Sequence, residues 1–311
     1  MQIDLQQETS GIIAELGFVD EIARLRATID TWIEGASAEL QDALRWQFSG
    51  SSKYYRPLTV FSCYRALHGR TIPQSVIRAA VGVELFHNMS LVVDDILDRS
   101  AERRGKVTLH CQFGELPALM ASGYIVADAY NMVSDDPPSI ALLSELMKRL
   151  GAAECLQWRL RRQPLGVEDW RRIAGEDTGS MFEVCACLGA RGEQLRRFGH
   201  LLGVLYHGCD DVADVRGLTA LGGGGSDDIR DGILTLPAAL AIREARIAEM
   251  FVAGNPADDA AVLAAFEARL PEAEDYLDTV QEQAGREAEL FSDDAHGLIA
   301  LAAKVRKLSS T

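Results

Sequence analysis

Apolar residues recur along this chain at intervals of three and four almost from end to end, and strand-like alternation is scarce. The pattern predicts helices near 20–34 and 36–48, parted by Gly35, and a third opened by Pro57 and closed by His68-Gly69. Pro73 then starts a long helix that runs into the sequence LVVDDILD. Further helices follow near 117–134, 138–160, 166–189 and 193–214. The run LGGGGSDDIRDG, Leu221 to Gly232, interrupts the periodicity with four consecutive glycines, and Thr235-Leu236-Pro237 restarts it. Stretches near 258–268, 271–287 and 291–308 finish the chain. No linker-like stretch divides the sequence, so the expected architecture is all-α: a single large helical bundle over residues 1–311, with a central cavity.

Two of these helices end in acid. Asp94 and Asp98 lie four residues apart, one turn along a shared helix face that Leu91 and His87 continue. More than a hundred residues later YHGCDDVAD repeats the arrangement with Asp210, Asp211 and Asp214, and His207 and Gly203 extend its face. One such motif alone reads as a solvated helix end. Two, each closing a mostly apolar segment and each carrying a histidine on the acid face, read as a site. Paired carboxylates repel and are costly to bury without a counter-charge, which a divalent cation supplies. Arg103, Arg104 and Gly105 follow the first motif, and an acid pair beside a basic pair suits a magnesium-bridged phosphate ester. The glycine run lacks GxxxxGK[ST] and follows no strand, so it reads as a mobile flap beside the second acid motif in preference to a phosphate cradle.

Composition narrows the partners. With 46 acidic against 31 basic side chains, the net charge of -15 disfavours a nucleic-acid groove or an anionic membrane surface, so a phosphorylated substrate needs local basic clusters. The 48% hydrophobic content is ample for a core. Six cysteines, Cys63, Cys111, Cys155, Cys185, Cys187 and Cys209, fall in apolar helical patterns without CxxC spacing and read as reduced, buried thiols. The N-terminus lacks the basic and apolar regions of a signal peptide, and no uninterrupted apolar run reaches the roughly 18 residues of a membrane span. A cytoplasmic location is the simplest expectation.

On these residues the chain resembles the trans-type isoprenyl diphosphate synthases, the polyprenyl synthetase family that includes farnesyl and geranylgeranyl diphosphate synthases. The resemblance spans about 51–306 and rests on LVVDDILD followed by RRGKVTLH, on TGSMF, on YHGCDDVAD and on DDIRDGILTLP. It implies a helical isoprenoid-synthase fold, usually a homodimer, with three Mg2+ ions between the acid motifs. Asp94 and Asp98 would hold two ions, and Asp210, with Asp214 behind it, the third; Asp95 and Asp211 would be structural partners. An isopentenyl diphosphate acceptor site is implied at Lys53, Arg56, His87 and Arg104. Arg103 would hold the allylic diphosphate, with Thr178 of TGSMF and His207 on the same side. The catalytic set is then Asp94, Asp98, Asp210 and Arg103.

Departures from the family pattern gather on the donor side. Asp177 stands where the family places a lysine before Thr178-Gly179, Ile233 where it places one before x-Thr-Leu-Pro, and His207 replaces the usual glutamine; Ser51-Ser52 replaces glycines on the acceptor side. A carboxylate facing a diphosphate is repelled by it. Three courses are open to Asp177: turning away, binding a metal, or pairing with Arg171 or Arg172. Arg230 is a candidate for one missing cation.

An elongating prenyltransferase needs both diphosphate sites, whereas a terpene cyclase needs only the donor. A complete acceptor set favours elongation, or prenyl transfer to another acceptor, over cyclisation. A di-iron bundle would need Glu-x-x-His pairs, of which Glu84-x-x-His87 supplies one, and a non-catalytic partner subunit would be expected to lose aspartates. In the family, bulky aromatics four and five positions before the first aspartate stop growth at about C15. Here those positions are Ser90 and Met89, and Phe86 is the next large ring, two turns down at about 5.4 Å per turn. Phe86, Met89 and Ser90 as pocket wall imply a C15 to C20 product.

Overall fold

The helix that carries the first acid motif organises the N-terminal half. In the computed structural model, which describes residues 2–50, 52–103, 105–218, 225–292 and 294–310 (side chains from residue 9, and not those of 225–227), it runs from Gln74 to Leu97. Pro73 in extended conformation (φ -74°, ψ 163°) fixes its start. Its 24 residues, with an 18-residue window of mean hydropathy 1.4, are long and apolar enough to cross a membrane, but 72% of that window is buried inside the protein. Core burial explains that composition: Ile77, Ala80, Val81, Val83, Leu85 and Phe86 are fully buried.

The chain forms two compact units. The first comprises Met1–Ser144 with Cys185–Glu193. Its helices are α1 (Gln2–Leu16), α2 (Val19–Glu34), α3 (Ala38–Phe48), α4 (Tyr55–His68), α5 (Gln74–Leu97), α6 (Leu109–Phe113) and α7 (Glu115–Asn131). Helices α2, α4 and α7 pack around α5. The second unit comprises Glu145–Val184 with Gln194–Thr311. Helices α8 (Pro137–Leu160) and α10 (Ser180–Ala190) have residues in each unit. The second also holds α9 (Val167–Ala174), α11 (Arg196–Val215), α12 (Gly225–Asp231), α13 (Leu236–Ala241), α14 (Ala245–Ala253), α15 (Asp259–Glu267), α16 (Leu270–Phe291) and α17 (His296–Arg306). Here α11 is central, with α16 and α17 packed along it.

The all-α expectation is met, with three local differences. Strands β1 (Glu102–Arg103) and β2 (Lys106–Val107) form a small antiparallel hairpin after α5, turned at Gly105 with φ +72°, a conformation suited to glycine. The helix expected over 166–189 is two helices joined by one widened π turn, Gly175–Gly179. Within the glycine-rich run, residues 221–224 lie outside the described residues, and its second half is α12, not an extended break. Four cysteines are buried as expected; Cys111 on α6 and Cys155 on the outer side of α8 are exposed, which corrects the uniform burial read from the sequence.

Candidate active site

In the first unit, α5 ends as the acid motif begins to cap it. The Asp98 N–H donates to the Asp94 carbonyl (2.9 Å), so the two carboxylates occupy the last turn and the cap. Asp94 is half-buried and Asp98 exposed. Asp95, between them, is buried and accepts from Arg103 Nε at 2.7 Å. Burial pushes the Asp95 carboxyl up, and Arg103 opposes that. Arg103 reaches it because the hairpin is pinned: Lys106 lies over the Trp46 ring (4.5 Å) and donates to Ser49 Oγ (2.7 Å), while Trp46 Nε1 donates to the Val107 carbonyl (3.0 Å). Arg104 lies outside the described residues.

The acceptor residues are partly brought together. Arg56 lies 3.2 Å from His87 Nε2, Lys53 is buried, and Ser52 Oγ donates to the buried Glu84 (2.8 Å). A cleft in this unit is lined by Ser52, Tyr54, Glu84, His87, Asn88, Asp95, Arg103, Trp46 and Lys106, among others. Lys53 and Arg56 are not on that lining. Lys106 and Trp46 were not among the residues singled out from sequence, although Lys106, inside RRGKVTLH, was one of only five lysines. Of the expected wall, Phe86 is fully buried edge-on to Tyr130 (centroids 5.7 Å), Met89 is buried, and half-buried Ser90 donates to the His87 carbonyl (2.9 Å).

The second unit repeats the division of labour. On α11, Asp210 and Asp214 are half-buried. Asp211 is buried and accepts from Trp170 Nε1 (2.7 Å) and from the Leu236 backbone N–H (2.8 Å), which ties α9 and α13 to α11. Burial raises the Asp211 carboxyl, against the neighbouring His207 and these two donors. His207 Nδ1 lies 3.0 Å from Thr178 Oγ1 and 3.4 Å from Asp177 Oδ2, and its Nε2 lies 3.8 Å from Asp211 Oδ1. Burial alone would lower the imidazole, but Asp211, Asp177 and Asp210 overcome it and raise it to about 9. Among the partners of Asp177 are Thr178 and His207, while Arg171, one of the arginines considered for it, reaches Gln283. The Arg230 guanidinium chelates Asp231 through Nε (2.9 Å) and a terminal nitrogen (3.0 Å). Ile233 is half-buried and carries no charge to the site.

A divalent ion suits this donor set. Carboxylates add to the negative end of the helix dipole at a C-terminus, and neither α5 nor α11 has a basic residue in its last turn to offset them. The outer carboxylates are hard oxygen donors of the kind Mg2+ requires. Among the described residues no three His, Cys, Asp or Glu side chains form a ligand cluster, so water and substrate oxygens must complete any ion's shell.

The polyprenyl synthetase family profile matches residues 37–268. The chain belongs to this family. It is 27% identical over 238 residues to a nonaprenyl diphosphate synthase of Mycobacterium tuberculosis, covering 72% of this chain and 70% of the relative. It is 27% identical over 240 residues to a geranylgeranyl diphosphate synthase of Methanosarcina mazei, covering 70% and 74%. A polyprenyl synthase of Caulobacter crescentus, solved with calcium and isoprenyl diphosphate, shares the fold at TM-score 0.85 and 22% identity, over 96% of this chain and 97% of that one. Family membership makes the chain a trans-prenyltransferase of the prenyl-elongating kind, and a terpene cyclase is not favoured.

Proposed function

We propose that this polyprenyl synthetase ionises an allylic diphosphate with Mg2+, joins it to isopentenyl diphosphate, and releases a C15 to C20 prenyl diphosphate. The observation that carries the reading is the split within both acid motifs: the middle aspartates are buried and accept from protein donors, while the outer ones are half-buried or exposed at the ends of helices whose last turns carry no basic residue. Asp94 and Asp98 would hold two ions, and Asp210 with Asp214 a third. Bound there, the metal supplies charge neutralisation for the departing diphosphate oxygens.

The chain's own groups do the rest. Arg103, steadied by Asp95, is assigned to the donor diphosphate, as are Thr178 and His207. Lys53, Arg56, His87 and Arg104 would hold the acceptor diphosphate; of these His87 lines the cleft, together with Lys106. The donor C1–O bond breaks with its electron pair leaving on diphosphate. The acceptor alkene attacks the allylic cation to form the new C–C bond, and the released diphosphate takes the proton lost from the acceptor. No protein nucleophile is needed.

The test is incubation of pure protein with C5, C10, C15 and C20 allylic diphosphates, with and without isopentenyl diphosphate, in Mg2+ and in chelator. Lengthened prenyl diphosphates that require both Mg2+ and the acceptor are expected. Hydrocarbon products formed without acceptor, or turnover in chelator, overturn the reading.

A further inference from the structure

A carboxylate at Asp177 opposes any anion bound near it, and the second unit shows what cancels it. The His207 ring is flanked by a carboxylate at each nitrogen, Asp177 at 3.4 Å and Asp211 at 3.8 Å. Thr178 Oγ1 donates to Asp177 Oδ2 (3.0 Å) while lying 3.0 Å from His207 Nδ1, so hydroxyl and imidazole form one chain of donors ending on that carboxylate. Asp211 is itself immobilised by the Trp170 and Leu236 N–H groups. The imidazole is thus oriented from both sides and favoured in its charged form, as its elevation to about 9 also indicates.

The turn that brings Asp177 here cannot retreat. It is the π turn, where one extra residue redirects side chains. Arg149 grips its Glu176 through Nε (2.9 Å) and a terminal nitrogen (3.3 Å). Gly203 of α11 touches it so closely that a Cβ would sit 2.6 Å from Gly179 Cα and 2.7 Å from the Thr178 carbonyl. Along α11, His207 precedes Asp210 and Asp214 by three and seven residues and shares their face.

Building on the proposed function, we infer that Asp177 and His207 act as one coupled positioning pair for the donor diphosphate. The imidazolium neutralises the Asp177 carboxylate beside the outer aspartates of α11 and, through Thr178, fixes the π turn against that helix. Neither residue contacts reacting atoms; the pair sets the charge that the donor diphosphate meets. Its signature is coupling, since removing the cation alone uncovers a carboxylate, and removing both leaves a neutral pair of amides.

The test is a double-mutant cycle in His207→Gln, Asp177→Asn and the double variant, with KM for donor and acceptor measured separately and folding checked by circular dichroism. His207→Gln is expected to raise donor KM about tenfold or more, the size of one uncovered charge near an anion at intermediate dielectric, with acceptor KM within about threefold. The double variant is expected to return donor KM to within about threefold of wild type. A double variant no better than His207→Gln, or equal losses for both substrates, overturns the pairing. Should His207→Gln fail to fold, His207→Asn takes its place in the cycle: recovery of donor KM on adding Asp177→Asn supports the pair, and no recovery overturns it. A wild-type chain that releases no diphosphate from any allylic donor sinks the functional reading itself, and the pairing with it.

Discussion

Aspartate has two roles inside each acid motif, and burial separates them. Asp95 and Asp211 are enclosed and hold neighbouring elements through Arg103, Trp170 and the Leu236 N–H, whereas Asp94, Asp98, Asp210 and Asp214 stay half-buried or exposed. Replacing Asp94 with alanine should therefore leave the fold intact and cut magnesium-dependent diphosphate release by at least about 10²-fold, the loss seen when one charge-stabilising group is removed. A variant with wild-type release would rule out the site. At Ser90, one turn above Phe86, a phenylalanine should shorten the main product by about one isoprene unit, because a helical turn and an extended C5 unit are both close to 5.4 Å. Chromatography of the products decides it, and unchanged length removes this wall. The outer aspartates were singled out by their spacing, the wall positions only by the family resemblance. The partner of Asp177 was not: residue 207 lies thirty positions away, and the arginines considered in its place were sequence neighbours on α9, whose Arg171 side chain reaches Gln283 on α16.

At the scale of elements, helices were readable wherever an apolar stripe persisted, because α2, α3, α5, α11 and α16 each bury a face. Two-residue strands hold too few positions for alternation to show, which hid the Glu102–Arg103 and Lys106–Val107 hairpin. The π turn was hidden for a similar reason, since one inserted residue barely disturbs a stripe that resumes on α10. An ion network holds that turn. Arg149 bridges Glu176 and Glu183, and Arg196 and His200 converge on Glu183. Burial would raise the Glu183 carboxyl, but His200, Arg149 and Arg196 hold it down to about 2 from an ordinary 4.5. A depressed carboxyl contributes stability that is complete above 4.5 and lost as pH falls toward 2. That contribution is on the order of 3 kcal/mol at most. Urea unfolding across this window should show a steeper acid loss for wild type than for Glu183→Gln. Parallel slopes would mean that the network does not hold the folded state.

For the whole molecule, composition and shape part company at two helices. Helix α5 has the hydropathy of a membrane span and is core. Helix α7 buries Ala118, Ala121, Ser122, Ile125 and Ala129, and packs on α5, yet its other side leaves Leu116 (69%), Leu119 (45%) and Met120 (56%) exposed. Three large apolar side chains at helical spacing on one surface are an unusual load for a free helix, and a contiguous patch of this kind marks an interface. The all-α class was legible because both helices are periodic or uniformly apolar; which of them keeps an apolar face exposed was not, because hydropathy does not distinguish a buried face from an open one. Were the chain to form the homodimer that the family resemblance implies, this face would offer it a surface, a second copy meeting it about a two-fold axis. In such an interface each residue near the axis meets its own counterpart or a close neighbour, so a charge introduced there appears twice and repels itself. Leu119→Glu with Met120→Glu should accordingly convert a dimer into a monomer in sedimentation velocity at micromolar protein, with helical content unchanged. A wild-type chain that sediments as a monomer at that concentration would show that α7 is not the dimer face, and a double variant that remains dimeric would move the interface to another surface.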